Sequence, residues 1–302
     1  MIFCTAIVTL IVITIIPLAA VFYNKTYKIL YKTLYGSIIQ KSISLKDGIA
    51  RRYFKVKTLD NIELAGYLVE SHRPNKGIIV ICHNSGSSKE AMWRYASFLY
   101  EAGYNIASFD FSDHGESGKT KKLIFNRQVD LNAIMKYIHE SNHNNLPIGI
   151  LGLSMGSVAS LLYAAEDKNI KAIIVDGGPL LYIDNYPRYV AKISGIHNHV
   201  AMIIFIQLCM YITDLKQMYT KMKKALALLK GRPVLFIQGE KDFMCPPHNT
   251  EKALQILNSD KAELWLVKDA NHLTSFAMAK EEYKERVIAF FDKHLANPNP
   301  PQ

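Results

Sequence analysis

Residues 147–165 constrain this chain more than any other stretch. An apolar run, Ile148-Gly149-Ile150-Leu151, leads into Gly152-Leu153-Ser154-Met155-Gly156 and then into a segment rich in small residues, among them Ser157, Ala159, Ser160, Ala164 and Ala165. A buried strand, a sharp turn and a closely packed helix satisfy that order. The glycines let the strand and helix backbones crowd together, and the serine between them is held in a strained conformation that exposes its hydroxyl. At a helix N-terminus, the amide of Met155 and the helix dipole are placed to stabilise an oxyanion. Ser154 is therefore a candidate nucleophile. A plain turn with a solvated serine would not need a small-residue helix to begin at once.

The neighbouring segments supply the rest of a sheet. Residues 51–58 and 62–70 read as a hairpin turned at Leu59-Asp60-Asn61. The continuous apolar run at 77–83 reads as a parallel strand covered on both faces. Further strands are expected at 104–111, 170–175, 234–238 and 262–267, with helices near 126–140 and 280–295. This alternation predicts an α/β fold, a mostly parallel doubly wound sheet with right-handed crossovers. A chain of 302 residues suits one large domain of this kind, expected at 51–302, with an insertion where the rhythm stops at 180–230. The most apolar part of the insertion, 200–212, is too short to span a bilayer and is expected to line an apolar pocket as part of a lid.

Residues 2–23 carry no charged side chain and are long enough to cross a bilayer as a helix, so 1–23 is expected to be a transmembrane anchor and 24–50 a juxtamembrane linker. A cleaved signal peptide would start with a basic region and end in an A-x-A-like site, and neither is present. Lys25, Lys28, Lys32 and Lys41 follow the run, which places the catalytic domain on the cytoplasmic side. Tyr23, Tyr27, Tyr31 and Tyr35 form one helical stripe, suited either to a headgroup layer or to docking on the globular domain. The formal charge of +10 is spread along the chain in single lysines and short groups. That pattern points to an anionic membrane surface as partner and not to nucleic acid. Cys4, Cys82, Cys209 and Cys245 form no C-x-x-C, so neither a zinc knuckle nor a redox pair is indicated.

Together these elements resemble the α/β-hydrolase fold over 51–302, and in particular serine hydrolases of the monoglyceride-lipase and serine-aminopeptidase kind. The resemblance implies a Ser, Asp, His order of catalytic residues, which Ser154, Asp242 and His272 match, each just past the end of an expected strand. Asp176, after the strand at 170–175, is a rival acid. The resemblance also implies a second oxyanion amide from the loop His83-Asn84-Ser85-Gly86, assigned to Ser85 with Asn84 as second choice, beside that of Met155. Asn84 stands where the family usually has glycine. Asp113 and His114, in the loop 110–118, are expected to be structural. The implied activity is acyl transfer through an acyl-serine, on a small-molecule acyl ester or lipid, with neither cofactor nor metal. A peptidase or thioesterase would use the same triad, and a silent hydrolase-fold binding protein is a further alternative.

Three other patterns carry less. His139-Glu140-Ser141-Asn142-His143 fits H-E-x-x-H but runs off a helix end into Asn144-Asn145-Leu146-Pro147 without a third ligand. Gly118-Lys119-Thr120 lacks the first glycine and the feeding strand of a phosphate loop. His197 and His199 read as exposed histidines of the insertion.

Overall fold

Runs of β-branched and aliphatic residues form the centre of one eight-stranded sheet, in the order β1-β2-β4-β3-β5-β6-β7-β8. The computed structural model describes residues 16–35, 48–73, 75–120, 124–182 and 185–295. β1 (Arg52–Lys57) and β2 (Glu63–Val69) are the expected antiparallel hairpin, closed by a turn with Asn61 at φ 61°. β2 pairs antiparallel with β4 (Tyr104–Phe109); from β4 onward all pairings are parallel. β3 (Gly77–Cys82) and β5 (Ile148–Leu153) lie side by side at the centre, buried along their whole length as their uninterrupted apolar sequence demands. β6 (Ile170–Asp176), β7 (Val234–Gly239) and the edge strand β8 (Ala262–Val267) complete the sheet.

The chain runs from β3 to β4 on one side and then crosses to β5 on the other. That reversal opens a crevice at the carboxyl ends of β3 and β5, where open α/β sheets bind ligands. Two apolar layers cover the faces. One contains α3 (Gln128–Ser141) and α4 (Met155–Glu166), through side chains such as Leu131, Ile134 and Leu161. The other contains α2 (Trp93–Glu101) and α10 (Lys280–His294), through Tyr95, Leu99, Tyr283 and Phe291.

The interruption at 180–230 is helical. It comprises α5 (Asn185–Ile193), α6 (His199–Ile212) and α7 (Leu215–Leu228). α8 (Pro247–Leu257) and the short α9 (Ser275–Met278) flank β8 in sequence.

The N-terminal expectation falls only partly on described residues, since 1–15 lie outside them. Residues 16–35 form one helix, α1 (Ile16–Tyr35), which packs on α6 and α5. Thr26 and Leu30 are its buried contacts, whereas Tyr23, Tyr27 and Tyr31 are exposed, so the tyrosine stripe is not the docked face. Among the described residues no single helix is long and apolar enough to cross a membrane. α6 and α7 pass that test only as a pair bent by 74°, and both bury side chains in the domain, including Phe205, Cys209, Met218 and Met222.

Candidate active site

Ser154 occupies φ 50° and ψ −107°, a backbone state that non-glycine residues adopt only at a cost of roughly 1–3 kcal/mol. The neighbouring glycines explain how it is held. A Cβ on Gly156 would collide with the backbone carbonyl of Cys82, and one on Gly152 would lie 2.6 Å from the Gly156 carbonyl oxygen. Only bare backbone lets α4 start this close to β3 and β5. The Ser154 amide donates to the Asp176 carbonyl at 2.8 Å, and the Ser157 hydroxyl donates to the Gly152 carbonyl at 2.8 Å, bracing the turn from both sides.

Three loops at the carboxyl edge converge. Ser154 Oγ lies 2.9 Å from Nε2 of His272, and Nδ1 of His272 lies 2.7 Å from Oδ2 of Asp242. Nδ1 carries the proton toward the carboxylate, which leaves Nε2 free to accept the serine hydrogen. Asp242 is buried and well solvated by protein donors. Its Oδ1 accepts the amides of Met244 (3.0 Å) and Cys245 (2.8 Å), while Gln238 Nε2 donates to Oδ2 at 3.1 Å. The Gln238 amide is itself fixed by the Thr250 hydroxyl, which donates to its Oε1 at 3.0 Å.

Asp176, the rival acid, is fully buried at the end of β6 and makes no hydrogen bond to the imidazole. The Tyr283 hydroxyl donates to its Oδ2 at 3.1 Å, and Oδ1 has no hydrogen-bond partner among the described residues. Burial pushes its pKa up to about 7. Asp242 and not Asp176 therefore stands behind His272.

Ser85 and Asn84 line the same cavity as Met155, opposite the nucleophile's helix. Asn84 is not in the left-handed region; Gly86, at φ 74°, makes that turn two residues later. A Cβ at position 84 thus carries none of the strain its place in the motif would imply. The loop is pinned instead by His83, whose Nδ1 donates to the Asn84 carbonyl at 2.7 Å and whose Nε2 accepts the Phe111 amide at 2.9 Å. Burial lowers the His83 pKa to about 4, so the ring is neutral and keeps both roles. Asp113 is structural as expected, accepting from Thr120 and pairing with Arg127. His114 is buried, with its pKa lowered to about 3 by burial.

The Ser154 hydroxyl faces a cavity of about 240 Å³ walled largely by apolar side chains, including Phe125, Val158, Leu180, Tyr186, Tyr189 and Met218. α5 and α7 supply the last three, but α6 contributes no residue to the wall. The expectation for 200–212 is corrected here. Phe205 and Cys209 are buried on the side of α6 that meets its neighbouring helices, and Ile203 and Ile204 point away from the domain. A helix whose polar side chains are so few, His199 and Gln207 with the Tyr211 hydroxyl, gives only a weak periodic signal of which side faces inward.

The H-E-x-x-H pattern is likewise dissolved: His139 pairs with Asp167 at 2.8 Å, with Tyr163 on the same carboxylate. Among the described residues no group of three His, Cys, Asp or Glu side chains is arranged to hold a metal ion.

Comparison with known proteins supports the α/β-hydrolase fold. A family model described as serine aminopeptidase, S33, matches residues 73–208, and one described as the prolyl oligopeptidase family matches 203–298. Ser154 falls in the first match, Asp242 and His272 in the second. The protein YqkD of Bacillus subtilis is 27% identical over 246 residues, 79% of this chain and 78% of its own. The Pyrococcus furiosus esterase Pf2001 superposes with a TM-score of 0.71 at 22% identity, covering 86% of this chain and 99% of that one. The alpha/beta hydrolase GrgF from Penicillium superposes at 0.64 and 18% identity, over 82% and 99%.

Proposed function

We propose that this chain, an α/β hydrolase by fold and superfamily, is a serine hydrolase that cleaves carboxylic esters with an apolar acyl group. The observation that carries the reading is the unbroken relay from Asp242 through His272 to Ser154, opening into an apolar cavity. Ser154 Oγ attacks the ester carbonyl as its proton passes to Nε2 of His272, and Asp242 stabilises the imidazolium so formed. The tetrahedral oxyanion faces the amides of Met155 and Ser85. His272 then returns the proton to the departing alcohol, and water repeats the sequence to free the acid and the serine.

One feature favours the ester reading over the aminopeptidase alternative, and a second bears on the length of the acyl chain. Among the described residues no Asp or Glu lines the cavity, so the free ammonium of an aminopeptidase substrate would be desolvated with none of these acids as a partner there. The volume of about 240 Å³ lies below the span of roughly 300–1,000 Å³ common for drug-sized ligands, which favours a short or medium acyl chain. In this proposal α5 and α7 act as the lid, and residues 1–23 anchor the enzyme in a membrane with the catalytic domain on the cytoplasmic side.

A fluorophosphonate probe and a nitrophenyl ester series from acetyl to decanoyl test the assignment. Labelling at Ser154 and a rate optimum at intermediate chain length are expected. A preference for aminoacyl amides would make the enzyme a peptidase, and an unlabelled protein would be a silent binding member of the fold.

A further inference from the structure

The outer side of α6 is an unusual surface among the described residues. α6 contains no Asp, Glu, Lys or Arg, and its exposed stripe reads Val200, Ile203, Ile204, Gln207 and Tyr211. Val200 is 64% exposed, Ile203 47%, Ile204 44% and Tyr211 82%. Recurrence at three and four residues puts all five on one face, where a water-facing helix would carry charges. α1 packs beside it and extends the patch with Leu18 and Val21, 67% and 63% exposed, and with the stripe Tyr23, Tyr27 and Tyr31. Exposed apolar side chains concentrated on two packed helices mark an interaction site.

Charge identifies the occupant. α1 carries Lys25, Lys28 and Lys32, all exposed, and no acidic residue. From residue 185 to 230 there are seven Lys or Arg and one acid, Asp214, whose carboxylate is already engaged by the Phe125 and Asn126 amides. A second copy of the chain related by a two-fold axis would bring this basic patch against itself. A polypeptide partner would need donors and acceptors to fix its register, and along the α6 face these are few: Gln207, the Tyr211 hydroxyl and, at the helix start, His199. A fluid apolar phase under an anionic layer meets both halves of the pattern. Tyrosines beside aliphatic side chains suit the boundary between the two. The seam between the helices also opens as a groove of about 210 Å³, lined by Phe22, Ile29, Ile196 and Phe205 together with Lys25.

We propose that the joint outer face of α1 and α6 docks on an anionic lipid bilayer, with the α6 stripe immersed at the headgroup boundary. This goes beyond the hydrolase reading, because no residue of the face belongs to the catalytic relay and an inactive chain docks as well as an active one. Leu18, Val21 and Tyr23 belong both to this face and to the proposed anchor, but the α6 half is separate from it, since an anchored domain need not lay α6 on the membrane. α5 lines the catalytic cavity on one side and packs on α6 and α1 on the other, so docking holds the cavity one helix away from lipid.

The test uses the full chain in vesicles of phosphatidylcholine, alone or with three parts in ten phosphatidylserine, and reads Tyr211→Trp emission against the native Trp93 and Trp265 background. Lys261→Trp, just before the edge strand β8 and outside both helices, serves as control. The expected result is a blue shift and quenching by spin-labelled lipid at position 211 in anionic vesicles, with none at 261. Ile204→Trp should report the same. Each Lys→Gln change at 25, 28 and 32 should lower the docked-to-undocked ratio about fivefold. Equal signals at 211 in neutral and anionic vesicles overturn the proposal, as does a protein that pellets with vesicles while position 211 stays wet. A shift at 211 that appears without lipid and grows with protein concentration assigns the face to a second copy, and a lipid-independent, concentration-independent shift assigns it to another segment of the chain; both overturn it. Fluorophosphonate labelling equal to wild type confirms that each variant is folded.

Discussion

The Tyr283 hydroxyl donates to Oδ2 of Asp176 at 3.1 Å, so the second buried carboxyl beneath the nucleophile is engaged by a ring from α10 while His272 turns to Asp242. Two aspartates at strand ends thus have separate duties. Asp242→Asn should reduce kcat/KM by about 10³–10⁴, since an asparagine no longer selects the productive tautomer. Asp176→Asn should leave ester hydrolysis within a fewfold of wild type. Steady-state rates for both variants decide the assignment, and the reverse order of severity would make Asp176 the acid.

Asp176 also predicts a pH dependence of stability. In the folded protein its proton is held to about pH 7, whereas an unfolded aspartate releases it near pH 4. The folded state binds the extra proton between those values, so this carboxyl's contribution to stability is full below about pH 4 and is lost as pH rises through about 7. The wild type should therefore lose a few kcal/mol relative to Asp176→Asn across that window. Paired thermal melts at pH 4.5, 6 and 8 measure the difference, which should be flat if the carboxyl is ionised throughout.

The elbow separates activity from stability. Ser154→Ala and Ser154→Gly should both lose activity, by as much as about 10⁶. Glycine should nevertheless give the more stable protein, by about 1 kcal/mol, because it adopts φ 50° without a Cβ penalty. Gly156→Ala should fail in the opposite way, with its methyl driven into the Cys82 carbonyl and the whole domain destabilised. Denaturant titration of the three variants tests the ranking.

Acyl-chain selectivity should follow the cavity wall. Each methylene sequestered in the transition state contributes about 0.8 kcal/mol, roughly fourfold in kcat/KM, until the cavity is full. Met218→Trp should shorten the preferred chain while leaving the acetyl ester almost unchanged. Ile204→Asp should leave selectivity for soluble esters untouched, because the side chain lies outside the wall. A shift of the optimum in Ile204→Asp would return α6 to the substrate path.

Much of this architecture is written locally in the chain. β3 and β5 announce themselves as uninterrupted aliphatic runs, and the elbow glycines and serine sit between strand and helix signals. The loops bearing Asp242 and His272 stand out because each follows a strand signal, aliphatic in β7 and weaker in β8, where Glu263 interrupts it. What escapes a reading along the chain are contacts between distant polar groups. Gln238 looks like an ordinary strand residue, yet its amide helps hold Asp242. His83 resembles a member of the oxyanion motif but acts by tying its loop to Phe111. Lys89 looks like a surface lysine and is buried among Asp110, Glu116 and Glu90; burial opposes its charge, and the three carboxylates outweigh that and raise its pKa. Orientation of α6 is hidden for a different reason, as apolar residues on every side leave only His199, Gln207 and Tyr211 as contrast to read.

Because the nucleophile follows a central strand and its base follows the edge strand β8, the two partners enter the world at different times. Ser154 and His272 are 118 residues apart, so at roughly 5–20 residues per second the ribosome delivers the serine on the order of ten seconds before the histidine. During that interval the growing polypeptide carries the serine without the base that is to take its proton. The relay can be complete only once the loop after β8 has been made, so its assembly has to wait for nearly the whole chain.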